Sequence, residues 1–173
     1  MALLTDEVRK YIGAESTPFP ACDPVEKGAV RRYAQAIMDP DPAYASDEAG
    51  ARYGGAVAPP LYPAFMFRTP FGSPDVLTER AHDPDFDGLV MGVRDGLPEL
   101  PLHGFSLLNG GAEVEFYRYA RHGETVFQKS RYADIYERET RAVPMVFVII
   151  ETEYTNGAGE LLMRARKTII RRK

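Results

Sequence analysis

The spacing of hydrophobic residues changes near the middle of the chain, from a helical period before residue 70 to a strand-like period after residue 110. Residues 25–38 have apolar side chains at three- and four-residue intervals, which predicts an amphipathic helix with Asp23 as its N-cap. This helix is expected to end before Pro40, because a proline disfavours helical geometry in the preceding residue. A shorter helix is expected to begin at Thr5 and to end at Gly13. The first part of the chain is therefore predicted to be helical.

The run APPLYPAFMFR, which begins at Ala58, is apolar on every side. A helix without a polar face is expected to be buried, and Pro63 indicates that this helix begins late or bends. Residues 70–103 are rich in Pro, Gly and Asp and have no sustained period, which is typical of a long irregular excursion with short helices at most. One buried helix and a long excursion are thus expected before the strands.

From Gly111 onward, apolar and polar residues alternate as in half-buried strands. The predicted strands lie in the segments GAEVEFYRY, TVFQKSRYADIYERE, PMVFVIIETEY and ELLMRARKTIIRR. The third segment is apolar on both faces in its first half and should lie centrally, and Asn156-Gly157 predicts a hairpin after it. Helices followed by antiparallel strands predict an α+β fold over residues 1–173, a single domain whose curled antiparallel sheet wraps round the central buried helix.

The composition is that of a globular protein without an excess of positive charge. The chain has 173 residues, 45% of them hydrophobic, and a formal net charge of -4 at pH 7, so no nucleic-acid partner is expected. The basic tail RARKTIIRRK is typical of a half-exposed strand, and binding of an anionic cofactor tail such as a coenzyme A phosphate is the less favoured interpretation. The sequence predicts no membrane span and no signal peptide, and we expect a cytoplasmic protein.

Few residues offer metal-binding or nucleophilic chemistry. Cys22 is the single cysteine, which excludes an internal disulfide, fits a reducing compartment and, without a nearby histidine, does not indicate a nucleophile. His82, His103 and His122 are isolated from one another, so no metal site and no cofactor are predicted. His103 lies just before the first strand and is the candidate for a substitute general base, with a loop histidine as the competing interpretation.

Residues 39–60 contain a motif that resembles a known signature. Asp39-Pro40-Asp41-Pro42-Ala43-Tyr44 is followed by ARYGG and then by Ala58-Pro59-Pro60. This run is similar to the Asp-x-Asn-Pro-x-His signature, the short Gly-terminated helix and the Ala-Pro-Gly of the MaoC-like hydratase/dehydratase group of hot-dog-fold proteins. The later segments LNGGAEVEFYRYARHGETV and ETEYTNGAGELLMRARKTIIRR also resemble this group. They look most like its branch that resembles the dehydratase domain of type I fatty-acid synthases.

The resemblance implies a hot-dog fold and the reversible addition of water to an α,β-unsaturated acyl thioester, on coenzyme A or an acyl carrier protein. In group members with a complete site, the Asp and His activate one water, and a backbone N–H at the start of the central helix polarises the thioester carbonyl. Asp39 matches the Asp, but Tyr44 stands at the His position and Pro60, which has no N–H, at the Gly position. Because a phenol has a reference pKa near ~10, it is a poor base at pH 7. An incomplete site is therefore expected.

The same resemblance implies a partner. In two-hot-dog members of the group, one half has Tyr in place of His and shapes the acyl pocket, while the other half supplies the Asp–His pair. The leading hypothesis is thus an acyl-binding half that needs a second hot-dog subunit, identical or separate. Two alternatives stay open: an active homodimeric hydratase that uses Asp39 with Tyr44 or His103, and a hot dog that binds acyl-CoA without chemistry. A hot-dog thioesterase also has this fold, and fold alone does not determine function.

Further candidate substrate-binding residues are Pro60, Leu61 and the run Asn109-Gly110-Gly111. The glycines would let a ligand approach the backbone, and a β-bulge is the competing interpretation. Tyr117 and Tyr119 are expected to share one strand face, which is a candidate dimer surface.

Structural roles compete with functional ones at the two central residues of the signature. Asp39 precedes a proline, where an Asp commonly turns the chain. Tyr44 is interpreted as a residue of the pocket mouth, with a core tyrosine as the alternative.

Overall fold

The computed structural model describes residues 3–68, 70–84, 95–139 and 143–173. The helices are α1 (Asp6–Arg9), α2 (Lys27–Ala36), α3 (Tyr62–Phe65) and α4 (Val76–Arg80), with 3-10 turns at Pro42–Tyr44 and Ala51–Tyr53. The strands are β1 (Phe19–Pro20), β2 (Ser106–Phe116), β3 (Val126–Arg138), β4 (Met145–Asn156) and β5 (Leu161–Arg172). Residues 85–94 of the excursion predicted at 70–103 lie outside the described residues, and α4 is a short helix within the described part.

The five strands form one curled antiparallel sheet in the order β1-β3-β4-β5-β2. β4 lies in the middle, as its apolar sequence predicts, and pairs with β3 along one edge and with β5 along the other. The hairpin predicted at Asn156-Gly157 joins β4 to β5, and the Asn156 N–H donates to the Glu160 carbonyl at 3.0 Å. The α+β prediction and the curled sheet are confirmed.

The buried residues form two clusters on the same face of this sheet. Near the end of β4, α2 and α3 pack on the sheet and bury Val30, Tyr62 and Tyr154. Near the start of β4, α1 and residues 97–102 cover Val148. Positions 146, 148, 150, 152 and 154 of β4 are all buried. Because alternate residues of a strand point to one face, both clusters lie on the same face of the sheet. The opposite face of β4 bears the apolar Phe147 and Ile149 near its start and the carboxylates Glu151 and Glu153 farther along.

The central helix is shorter and less buried than its sequence predicts. α3 has only four residues, and Leu61 and Phe65 are 47% and 44% exposed. Pro59, Pro60 and Pro63 supply no N–H donors, so few intrahelical bonds are available, and the Met66 N–H returns to the Pro63 carbonyl in a tight turn. The expectation of a late start is confirmed, whereas the expectation of a helix buried on every side is wrong.

The N-terminus of α2 also differs from the prediction. The helix begins at Lys27 with Glu26 as N-cap, and no side chain caps it, so the assignment of Asp23 is wrong. The reason is a tertiary contact: the Val25 N–H donates to the Glu124 carbonyl at 2.9 Å, which keeps the preceding backbone extended. Thr5, by contrast, caps α1 as predicted, because its hydroxyl accepts from the Val8 N–H at 3.3 Å.

The edge strand β2 contains a β-bulge. Its register against β5 shifts between Asn109 and Ala112, and Gly111 has φ +103°. A Cβ on Gly110 would lie 2.7 Å from the Thr168 methyl carbon, so the glycine permits close packing. The bulge interpretation of Asn109-Gly110-Gly111 is confirmed, while its role in substrate binding stays a prediction.

The two tyrosines that follow β2 separate. Tyr117 is 52% exposed and its hydroxyl donates to the Glu115 carboxylate. Tyr119 instead packs on Tyr53, with ring centroids 4.7 Å apart, next to the core. The shared face expected for these tyrosines is therefore wrong, because β2 ends at Phe116 and the chain turns before Tyr119.

Replacing Gly50 by Ala should destabilise the fold, because the new Cβ would lie 2.2 Å from the backbone oxygen of Gly55. We expect the free energy of unfolding to fall by about 2–3 kcal/mol, the cost of an overpacked site that the backbone cannot relieve. Chemical denaturation measures this change. The matched control is Gly28→Ala in α2, where the nearest atom is the Arg32 guanidinium at 3.6 Å. That variant should gain up to about 1 kcal/mol from helix propensity, and equal effects at both positions would contradict the packing.

Candidate functional site

A groove of about 380 Å³ lies between one face of α2 and the turn Pro42–Tyr44. Its lining is mostly apolar, and the residues that contribute include Ala34, Met38, Asp39, Pro42 and Tyr44. Two cations of α2, Lys27 and Arg31, lie at its edge. The groove thus combines an apolar wall with a carboxylate, a phenol and positive charge, and it contains both residues of the sequence signature.

The turn after α2 determines the position of Asp39. Met38 has φ +57°, a left-handed conformation that usually ends a helix at glycine. The Asp39 N–H then donates to the Ala34 carbonyl at 3.0 Å, which ends the helix. The carboxylate accepts the Asp41 N–H at 3.2 Å through Oδ1 and the Tyr44 hydroxyl at 2.9 Å through Oδ2. Asp39 is therefore both a turn residue and the hydrogen-bond acceptor of Tyr44.

Tyr44 is a buried, neutral hydrogen-bond donor. The side chain is 7% exposed and belongs to the core cluster, while its hydroxyl reaches the groove. Burial, followed by the hydrogen bond to Asp39 and the negative charge of that carboxylate, raises the pKa of Tyr44 well above the ordinary phenol value. At neutral pH the phenol keeps its proton and directs it at Asp39. The ring of Tyr44 is thus part of the core, as one interpretation of the sequence expects, while the residue also lines the groove, as the other expects.

The segment that precedes α3 lies beside this pair. The Val57 N–H donates to the Ala43 carbonyl at 3.0 Å, which joins it to the turn that contains Tyr44. The Ala58 N–H is used by the Ala120 carbonyl at 2.8 Å, and Pro59 and Pro60 have no N–H. From Val57 to Pro60, therefore, each backbone donor is either occupied within the fold or missing.

The remaining sequence candidates do not join the groove within the described part of the chain. His103 lies in an exposed turn after Leu102, and Leu61 is half exposed. Asn109 uses its side-chain oxygen to accept the Gly111 N–H at 2.9 Å, within the bulge. Their roles in binding or catalysis stay predictions.

The sequence analysis missed Lys27 and Arg31. They are four residues apart in the first half of α2 and so lie on one helix face, on the side that borders the groove. The sequence does contain this i, i+4 pair of cations before the signature. Two basic residues on one helix face are, however, most often simply exposed to solvent, so the pair did not indicate a binding site. Their relation to the groove became visible only when α2 was packed against the turn.

The described residues contain no group of three or more His, Cys, Asp or Glu side chains able to bind a metal ion. Among the helices within the described ranges, none has the length and apolar character that a bilayer crossing requires.

Solved structures with this architecture are hot-dog proteins. The ChsH1-ChsH2 complex from Mycobacterium tuberculosis is similar at 20% identity and a TM-score of 0.67, with 96% of this chain and 87% of the other covered. The C-terminally truncated HadBC (3R-hydroxyacyl-ACP dehydratase) complex of the same organism has 20% identity and a TM-score of 0.57, covering 92% and 96%. The MaoC-like dehydratase from Rhodospirillum rubrum has 18% identity and a TM-score of 0.57, covering 94% and 93%. These similarities define a MaoC-like hot-dog fold.

The sequence itself identifies the family. Residues 10–165 match the family model described as FAS1-like, dehydratase domain region. The chain therefore belongs to the FAS1-like dehydratase family, which confirms the resemblance inferred from residues 39–60 and the strand segments. No curated protein matches the chain.

Removing the Tyr44 hydroxyl should cost stability, because its partner is a carboxylate and the side chain is buried. We expect Tyr44→Phe to lower the free energy of unfolding by about 1–2 kcal/mol. Tyr117→Phe is the matched control, since Tyr117 also donates to a carboxylate, at 2.8 Å, but on the surface. Denaturant titration should show no measurable change for that control. If Tyr44→Phe is equally silent, the Asp39–Tyr44 hydrogen bond does not form in solution.

Proposed function

We propose that this protein is the acyl-binding, catalytically incomplete half of a two-hot-dog hydratase or dehydratase that acts on acyl thioesters of coenzyme A or an acyl carrier protein. The observation that carries the proposal is the hydrogen bond of 2.9 Å from Tyr44 to Asp39, at the place of the family's Asp–His pair. A phenol whose pKa is raised further cannot take a proton from water at neutral pH, so this pair orients groups rather than activating water.

The missing backbone donor supports the same proposal. A thioester carbonyl that becomes an enolate needs a donor aimed at its oxygen, and loss of one such donor typically lowers the rate by about 10²–10³-fold. Pro60 stands at the family's donor position and the Ala58 N–H is already bonded to Ala120. Together with Tyr44, this leaves Asp39 as the one matching member of the three-part site.

The groove offers binding without a complete catalytic set. Its apolar wall at Ala34 and Met38 fits a hydrocarbon chain, and Lys27 and Arg31 fit the anionic part of a carrier. The partner would be a second hot dog with the full Asp–His pair. Two of the similar structures are complexes, ChsH1-ChsH2 and HadBC, which supports a partner of this kind. The exposed single thiol of Cys22 fits the reducing cytoplasm that we propose as its location.

The purified chain alone should not hydrate crotonyl-CoA or longer enoyl-CoA above the uncatalysed rate. Absorbance of the enoyl thioester measures the reaction, and calorimetry with a saturated acyl-CoA measures binding. Substitution Asp39→Asn serves as the control, since it should leave the absent turnover unchanged. Addition of a hot-dog subunit that has an intact Asp–His pair should then produce activity.

Robust turnover by the isolated chain, abolished by Asp39→Asn, would replace this proposal by the active homodimeric hydratase. Acyl-CoA binding that is equally tight for saturated and unsaturated chains, without turnover in any mixture, would indicate a binding protein instead.

A further inference from the structure

Four strands of the sheet bear a regular pattern of charge on the face opposite the core. At the positions where charged residues are directly paired, β3 and β5 contribute cations and β4 and β2 contribute carboxylates, while Asp134 of β3 lies opposite the apolar Ile149. We call this set the charge ladder; it consists of Lys129, Arg131, Glu151, Glu153, Arg164, Arg166, Glu113 and Glu115. Each column of the charge ladder therefore has one sign, and neighbouring columns have opposite signs.

Several of the aligned residues in the charge ladder also form ion pairs, whereas Lys129 pairs with Glu15 of the N-terminal segment. Arg131 and Arg164 each reach a β4 carboxylate at 2.8 Å, Glu151 and Glu153 respectively. Arg164 also approaches Glu115 of β2 at 3.4 Å. Opposite charges on directly paired strand residues favour pairing, whereas like charges oppose it. The charge ladder thus favours, beside each strand, a neighbouring strand whose paired residues have the opposite charge.

β2 ends the charge ladder with an acidic column at an open edge. No described strand pairs with its other side, although it has eleven residues. Glu113 makes no ion pair with any described residue, and both Glu113 and Glu115 are exposed. On the opposite face of β2, Phe116 is 52% exposed. The unpaired N–H and C=O groups of such an edge are a template on which another strand can pair, and the charges beside it limit which strand can do so.

A second copy of β2 is a poor occupant of this edge. The bulge between Asn109 and Ala112 interrupts regular pairing, so the regular part next to it is Ala112–Phe116, with Val114 at its middle. Two copies paired antiparallel about that midpoint would place Glu113 of each opposite Glu115 of the other, at the short cross-strand distance where like charges repel. The acidic column therefore opposes the identical edge.

We infer that β2 docks the edge strand of a different hot-dog subunit, one that presents Lys or Arg opposite Glu113 and Glu115 and so continues the charge ladder with a cationic column. This inference rests on the proposed function, which requires a second hot dog, and it names the chemistry that distinguishes a separate subunit from an identical one. The acidic column selects the partner by repelling a second copy of this chain.

The test uses the chain itself as its partner. In Glu113→Lys/Glu115→Lys the column is cationic, so an equimolar mixture of wild type and this variant presents the complementary edge. Sedimentation velocity at low salt should show a heterodimer that forms at least about tenfold more tightly than either protein self-associates. Raising the salt concentration to about 0.5 M should weaken this heterodimer, because the Debye length is already only about 10 Å at about 0.1 M salt.

Two further variants separate charge at the edge from other effects. Glu113→Gln/Glu115→Gln removes the repulsion and should self-associate more than wild type, which keeps the test valid if the Lys variant misfolds. Asp6→Lys/Glu7→Lys changes net charge equally at exposed positions of α1, away from β2, and its mixture with wild type should stay unassociated.

Two results would overturn the inference. One is a wild-type dimer as tight as the mixture, and the other is an absence of association in the mixture and in the Gln variant. Neither result bears on turnover or acyl-CoA binding, so the proposed function is tested separately by the enoyl-CoA assay.

Discussion

The hydrogen bond from Tyr44 to Asp39 determines what the candidate site can do. The backbone sets the geometry of this side-chain hydrogen bond, because Met38 turns the chain out of α2 and the Asp41 N–H donates to the other oxygen of the Asp39 carboxylate. Burial of the phenol keeps it neutral, and the carboxylate accepts its proton in a hydrogen bond without removing it. Asp39 and Tyr44 therefore form a fixed, polar part of the wall of an otherwise mostly apolar groove.

The shortness of α3 has the same origin in backbone chemistry. Three prolines within residues 59–63 remove donors at the point where a helix must begin, and the remaining Ala58 N–H is bonded across to Ala120. One turn of helix then covers less of the sheet than a long helix would, and Leu61 and Phe65 are left half exposed. The lack of free backbone donors at Ala58–Pro60 and the shortness of the central helix are thus consequences of one local sequence.

The charge ladder links the fold to assembly. Charges two residues apart on a strand look like ordinary solvated positions, and each pair alone on a surface contributes little to stability. Their arrangement matters more than their number, because the sign of the charge alternates from strand to strand and so favours a cationic strand next to β2. In the proposed function the chain acts with a second subunit, and an edge that disfavours an identical chain would stay available to that subunit.

The sequence alone determined β3, β4 and β5, the central place of β4, the hairpin at Asn156-Gly157, the Thr5 cap and the signature from Asp39 to Pro60, because these depend on alternation, turn residues and spacing within one segment. It did not predict β1, and it placed the start of β2 at Gly111 where the strand begins at Ser106. Only the tertiary structure decided the true start of α2, the exposure around α3, the separation of Tyr117 from Tyr119 and the proximity of Lys27 to the groove. The start of α2 depends on a contact between segments far apart in the chain, Val25 with Glu124, and the position of Tyr119 depends on its packing against Tyr53. Local periodicity contains no information about which distant backbone group will satisfy a given donor, and that is why these features could not be predicted.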